Sequence, residues 1–295
     1  MTSSKTLSRR RVLAGIPTAL VLATGRRAGA IVVPESTWRA EGLQPFISLA
    51  HQAQFAALVA LSEDEGEEWN IASSTWIGNF GGVGHLLTAA HVYGKGETAD
   101  HYLYRTRSGR VRHGTRLHVH PLYNGDGNTR GGYDVAVVRL DGPVNDAGPP
   151  PLLFAHELEG GERITFVGFG SRGTGARGEH DDFDTPADNK TAAENIVDEV
   201  MDPVDPSPDD DEAGNWIRIT LHRRQDGGGR LDGLLGGGDS GGSAWLRAAD
   251  GRWGIVGINV SGTGETTYGE HSFFASISGL RPWLGRVLPG LRFIG

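Results

Sequence analysis

The chain has 295 residues, 38% hydrophobic and 22% charged, enough apolar material for one large core or two smaller ones, which excludes disordered and fibrous classes. Its 46 glycines follow no three-residue period and point to many tight turns and bulges, hence to a turn-rich all-β protein. The absence of cysteine removes disulfides, thiolate metal sites and a cysteine nucleophile, and a formal charge of −8 disfavours nucleic acid and anionic membranes as partners.

In chain order, residues 1–30 read as a removable export signal. They hold Lys5, Arg9, Arg10, Arg11, Arg26 and Arg27 but no acid, so the rest of the chain is more acidic still. The apolar run Val12–Ala23 is about half the ~20 residues of a membrane span, and Ala28-Gly29-Ala30 offers small residues to a signal peptidase. Ser8-Arg9-Arg10-Arg11-Val12-Leu13 resembles the twin-arginine address of proteins that fold before export, and a chain without cysteine suits folding in a reducing cytosol. The expected location is therefore secreted or otherwise extracytoplasmic, with no stable membrane span in the mature chain.

Beyond the signal, Glu41–Ala57 is expected to be partly helical. Runs rich in β-branched and aliphatic residues read as strands: Phe55–Leu61, Val135–Leu140, Arg163–Phe169, Trp216–Leu221 and Trp253–Val260, separated by Gly, Pro, Asn and Asp clusters. The acidic blocks Glu63–Glu68 and Asp209–Glu212 read as solvated loops, with a calcium site as the sharper alternative for the second. Asp141–Pro151 looks like a linker and divides the mature chain into 31–145 and 146–295, between which no sequence repeat is found. Arg281–Leu288, with Pro282 in its first turn, is expected to form a short C-terminal helix.

The chemistry begins at Gly236-Gly237-Gly238-Asp239-Ser240-Gly241-Gly242. A serine hydroxyl is a poor nucleophile unless a base takes its proton and donors stabilise the oxyanion that follows. Taken alone, such a segment is an ordinary turn. The candidate base is His91, where the apolar run Leu86–Ala90 ends in an imidazole backed by small residues. Of the other histidines, His118 and His120 share one strand face, as metal ligands would, but lack a third ligand, and His85 reads as a turn residue. The candidate acid is Asp134, which leads straight into Val135–Leu140 and must be buried against a partner.

Together these pieces resemble the chymotrypsin/trypsin-like serine proteases, and most nearly their Cys-less exported bacterial type. The matching segments are LLTAAHV around His91, YDVAVVRL at Asp134, GGGDSGGS around Ser240, WGIVGIN later, and the smaller Val119-His120-Pro121, ITFVGFGS and Pro282-Trp283-Leu284. The resemblance implies an all-β fold of two six-stranded antiparallel barrels with a short C-terminal helix: an N-terminal extension and first barrel over 31–145, and a second barrel over 146–295. It implies a serine endopeptidase acting on protein or peptide substrates without cofactor or metal. Ser240 would be the nucleophile, His91 the base, Asp134 its orienting acid, and the amides of Gly238 and Ser240 the oxyanion hole. Asp239 would hold the activated loop by pairing with a new amine at Ile31. Leu234 would floor the specificity pocket and Gly262 and Ser272 would wall it, giving an uncharged pocket for apolar or small side chains; Asp232 becomes the floor acid if the alignment slips. A non-catalytic or zymogen-like binding module on the same fold is one alternative. A serine esterase with a Gly-x-Ser-x-Gly elbow served by Asp250 and His271 is the other.

Overall fold

The structure is a computed structural model that describes residues 31–294 apart from 64, 70, 95, 124–130, 156–157, 181–182, 184–189 and 202–213. The expected export signal and the second acidic block lie outside the described residues.

Short, largely buried strands separated by glycine-rich turns pair antiparallel into the first barrel. Its strands are β1 (Leu58–Ser62), β2 (Ala72–Phe80), β3 (Val83–Thr88), β4 (Leu103–Arg105), β5 (Val111–Val119) and β6 (Ala136–Leu140). They close in the order β1-β2-β3-β6-β5-β4. The second barrel uses β7 (Arg163–Gly168), β8 (Thr191–Val200), β9 (Trp216–Thr220), β10 (Ser243–Arg247), β11 (Trp253–Gly262) and β12 (His271–Ser276). Its order is β7-β8-β9-β12-β11-β10, and the β10–β7 pairing closes it. The all-β expectation of two six-stranded antiparallel barrels is met.

Closure leaves no open edge within either barrel and produces three apolar clusters. One fills the first barrel around Leu61, Trp76, Leu86 and Val138. Another fills the second around Phe166, Ile217, Ile219 and Phe274. The third lies across both, bringing Leu58, Ile77 and Val137 together with Val167, Trp245 and Ile258.

Three helices complete the described chain: α1 (Glu35–Glu41), α2 (Gln44–Ala50) and α3 (Ile277–Val287). The expected helical stretch is thus two short helices split at Gly42, whose φ of 64° ends the first, and Ala53–Ala57 forms a 3₁₀ turn that shortens the expected first strand. Helix α3 begins earlier than expected because Ile277, Leu280, Trp283 and Leu284 make one buried stripe, which puts Pro282 in its interior. Ahead of α1, Val32–Val33 runs parallel to Gly173–Thr174 and exchanges both backbone hydrogen bonds between Val32 and Leu234. Ile31, Val32 and Val33 are fully buried in the second-barrel core.

Candidate active site

Three strand ends meet where the barrels face each other. His91 stands on a 3₁₀ turn, Ala90–Val92, immediately after β3. Asp134 precedes β6, and Ser240 lies in the loop that enters β10. His91 Nδ1 is 2.6 Å from Asp134 Oδ2, the His91 backbone N–H donates to Asp134 Oδ1 at 2.8 Å, and His91 Nε2 is 2.8 Å from Ser240 Oγ. Asp134 is completely buried, as its place in the sequence requires, and each of its oxygens has a donor. Burial alone would lower the His91 pKa. The Asp134 charge and hydrogen bond outweigh it and leave His91 above its ordinary value of 6.5.

The loop carrying Ser240 is clamped from both barrels. From β2, the Ser73 N–H donates to Ser240 O at 2.8 Å, while its hydroxyl donates to Gly238 O and accepts from the Phe169 N–H. From β11, Asn259 Nδ2 donates to Asp239 O, and the Asn259 backbone holds Gly241 and Gly242. Gly238 and Gly241 have φ of 92° and 79°, left-handed values suited to glycine. A Cβ at Gly241 would lie 2.1 Å from Thr88 Oγ1. With the chain so turned, neither the Gly238 nor the Ser240 N–H donates a hydrogen bond among the described residues. Sequence reading missed Ser73 and Asn259. The signal for Asn259 was an uncharged amide in the otherwise apolar run WGIVGIN.

Behind Ser240 the Asp239 carboxylate is fully buried and accepts backbone N–H groups from Gly170, Gly236 and Ile31, the last at 3.2 Å. Burial pushes its pKa up to about 7 despite those bonds, with the Glu179 charge adding to the rise. The two residues assigned to loop support, Asp239 and Ile31, are therefore brought together.

Beside Ser240 opens a cavity of about 250 Å³ walled by Leu235–Gly237 on one side and Val260–Gly264 on the other. Gly262 lines it. Ser272 stands behind, accepting the Leu235 N–H. Leu234 does not line it: the side chain belongs to the second-barrel core and its backbone is paired with Val32. Asp232 is likewise absent from the lining, since it is buried beneath Arg163 and the Gly229 N–H. The cavity is not uncharged, because the Glu179 carboxylate enters it, accepting from the Gly237 N–H and the Thr266 hydroxyl. Of the esterase pair, His271 is bonded to Thr220 and Asp250 to Arg252 rather than to Ser240, and the barrels are not the alternating α/β fold that an elbow serine needs. His120 is stacked on Tyr133 and edge-on to Trp283, and among the described residues no group of three possible metal ligands occurs.

This arrangement can pass a proton from Ser240 Oγ to His91 Nε2, balance the resulting imidazolium with Asp134, and offer two amides to an adjacent oxyanion. Among the described residues no helix is long and apolar enough to cross a membrane. The family model described as a trypsin-like peptidase domain matches residues 73–258, a span that contains His91, Asp134 and Ser240. No curated protein matches the chain.

Proposed function

The chain belongs to the trypsin-like peptidase family, and from that membership we propose that it is a secreted serine endopeptidase working through an acyl-enzyme. The observation that carries this reading is the unbroken hydrogen-bonded sequence Asp134–His91–Ser240. Ser240 Oγ attacks the scissile carbonyl as His91 Nε2 takes its proton, and Asp134 fixes the tautomer and stabilises the imidazolium. The amides of Gly238 and Ser240 receive the oxyanion, His91 then protonates the leaving amine, and water repeats the sequence to release the acid. The Glu179 carboxylate in the cavity beside Ser240 supports a preference for a basic side chain ahead of the scissile bond.

Export and activation are joined in this proposal. Cleavage after Ala30 by the export machinery would free the Ile31 amine beside Asp239, turning a neutral donor into a counter-ion for a buried carboxylate. Ile31 has a φ of 68°, a costly value for a β-branched residue. That torsion exists only while the preceding peptide bond is intact.

The test is the intact mass of the processed protein before and after a fluorophosphonate, with Ser240→Ala and His91→Ala in parallel. One adduct, lost in both variants, is expected, and Ser240→Ala should cut peptide turnover by about a millionfold. A folded wild type that takes no adduct would favour the binding-module alternative, and undiminished casein cleavage by Ser240→Ala would move the nucleophile elsewhere.

A further inference from the structure

A larger cavity, about 570 Å³, lies between the barrels and shares no lining residue with the one beside Ser240. Part of its lining is apolar: Leu58 and Ala60 of β1, with Phe169 just after β7. Besides Thr106, Ser108 and Gly109, the remainder is basic. His51 follows α2, Arg105 and Arg107 stand at the β4–β5 turn, and Lys190 heads β8. No described lining residue is acidic. Asp146, which reaches the turn from beyond β6, is engaged by the hydroxyls of Thr106 and Ser108 and by the Ser108 amide, and the Arg105 guanidinium lies over the Trp69 ring.

Lys190 makes this more than a basic surface. Only 6% of it is exposed, yet it lines the cavity. Its ammonium donates to Phe55 O at 2.7 Å, which uses one of three protons, and among the described residues no carboxylate pairs with it. Burial, then the Arg107 charge, bring its pKa down to about 8. His51 is lowered first by burial and then by the charges of Lys190 and Arg107. Lys190 and His51 both feel the Arg107 charge, and among the described residues no acid lines the cavity to offset it, in a chain whose net charge is −8. A buried cation is costly unless an anion offsets it, and the cavity has the size of small-molecule sites.

We propose that this cavity binds an organic anion, its carboxylate held by Lys190 and Arg107 and its apolar body packed against Leu58, Ala60 and Phe169. The site is independent of hydrolysis at Ser240. It is tested by calorimetric titration of the processed protein with phenylacetate and with its neutral isostere phenylacetamide. One saturable site for the acid is expected, with the amide at least ~10-fold weaker, as loss of a charge-assisted hydrogen bond implies. Lys190→Met and Arg107→Ala should each weaken the acid ~10-fold, while Glu179→Gln, in the other cavity, leaves it unchanged. Arg107 is exposed, so its variant keeps the test available where Lys190→Met fails to fold. Equal binding of acid and amide, an unchanged affinity in Arg107→Ala, a loss in Glu179→Gln, or no saturation at tens of millimolar would each overturn the proposal.

Discussion

Asp134 decides the working pH of the candidate site through one side chain. With His91 held above 6.5 by the Asp134 charge and hydrogen bond, kcat/KM should rise with pH through a midpoint above that value, because only neutral imidazole can accept the Ser240 proton. Asp134→Asn removes the raising influence and leaves burial to act alone. Its midpoint should fall below that of the wild type, and neutral turnover should drop about 10⁴-fold. A wild-type profile flat from about pH 5 to 9 would refute the assignment of His91 as base. Glu179→Gln should leave cleavage intact while lowering the preference for Arg or Lys over Leu about 10- to 100-fold in kcat/KM; an unchanged ratio across matched peptides would place specificity elsewhere. His91 and Asp134 were legible because each sits at the end of an apolar run, where a polar group demands a partner, and Ser240 because glycines flank it on both sides. Glu179 was not, because a hairpin distant in sequence delivers it, while Leu234, which the resemblance placed at the pocket floor, turns into the core.

The loop between β9 and β10 is where export processing would be felt. In the extended chain the native Asp239 has a pKa near 7 against an ordinary 3.8, so the native state binds its proton more tightly than the unfolded one. The stability this contributes is full below about pH 4 and is lost as pH rises through 7. An Ile31 amine, ordinarily protonated up to about pH 8, would remove that loss by pairing with the carboxylate. The form beginning at Ile31 should therefore melt higher than the extended form at about pH 7.5, with the gap closing below about pH 4 and above about pH 9. Parallel thermal melts check this, and coincident curves at neutral pH would sink the pairing. At the same scale, the apolar runs that marked strands left out β8 and all of β5 but its end at His118. Most of β5 is exposed on the barrel exterior, and the β8 sequence TAAENIVDEV carries Ala, Asn and acids that β-propensity disfavours. Tertiary pairing, not local preference, makes them strands.

The two barrels repeat one strand order although no sequence repeat links them, since closure requires only a pleated, half-buried strand at each position and many sequences satisfy that. What joins the halves is more particular. Trp245 of β10 packs edge-on to Phe55 ahead of β1 and donates its indole N–H to Ser243 Oγ, which is hydrogen-bonded to Thr75 of β2. Its apolar cluster draws buried residues from both barrels, and the His91–Ser240 hydrogen bond spans the same boundary. Neither barrel can open without exposing this shared core, so unfolding should be one cooperative event with calorimetric and van't Hoff enthalpies in agreement. Trp245→Phe, which removes the hydrogen bond and part of the edge contact, should cost about 1–3 kcal/mol. For a chain of this size the single transition should move down by roughly 2–4 °C per kcal/mol. Activity and fluorophosphonate labelling should be lost within that same transition. Two resolved transitions, of which the substitution moves only the one containing β10, would show that the barrels are stable separately and that the site is assembled by docking rather than by folding.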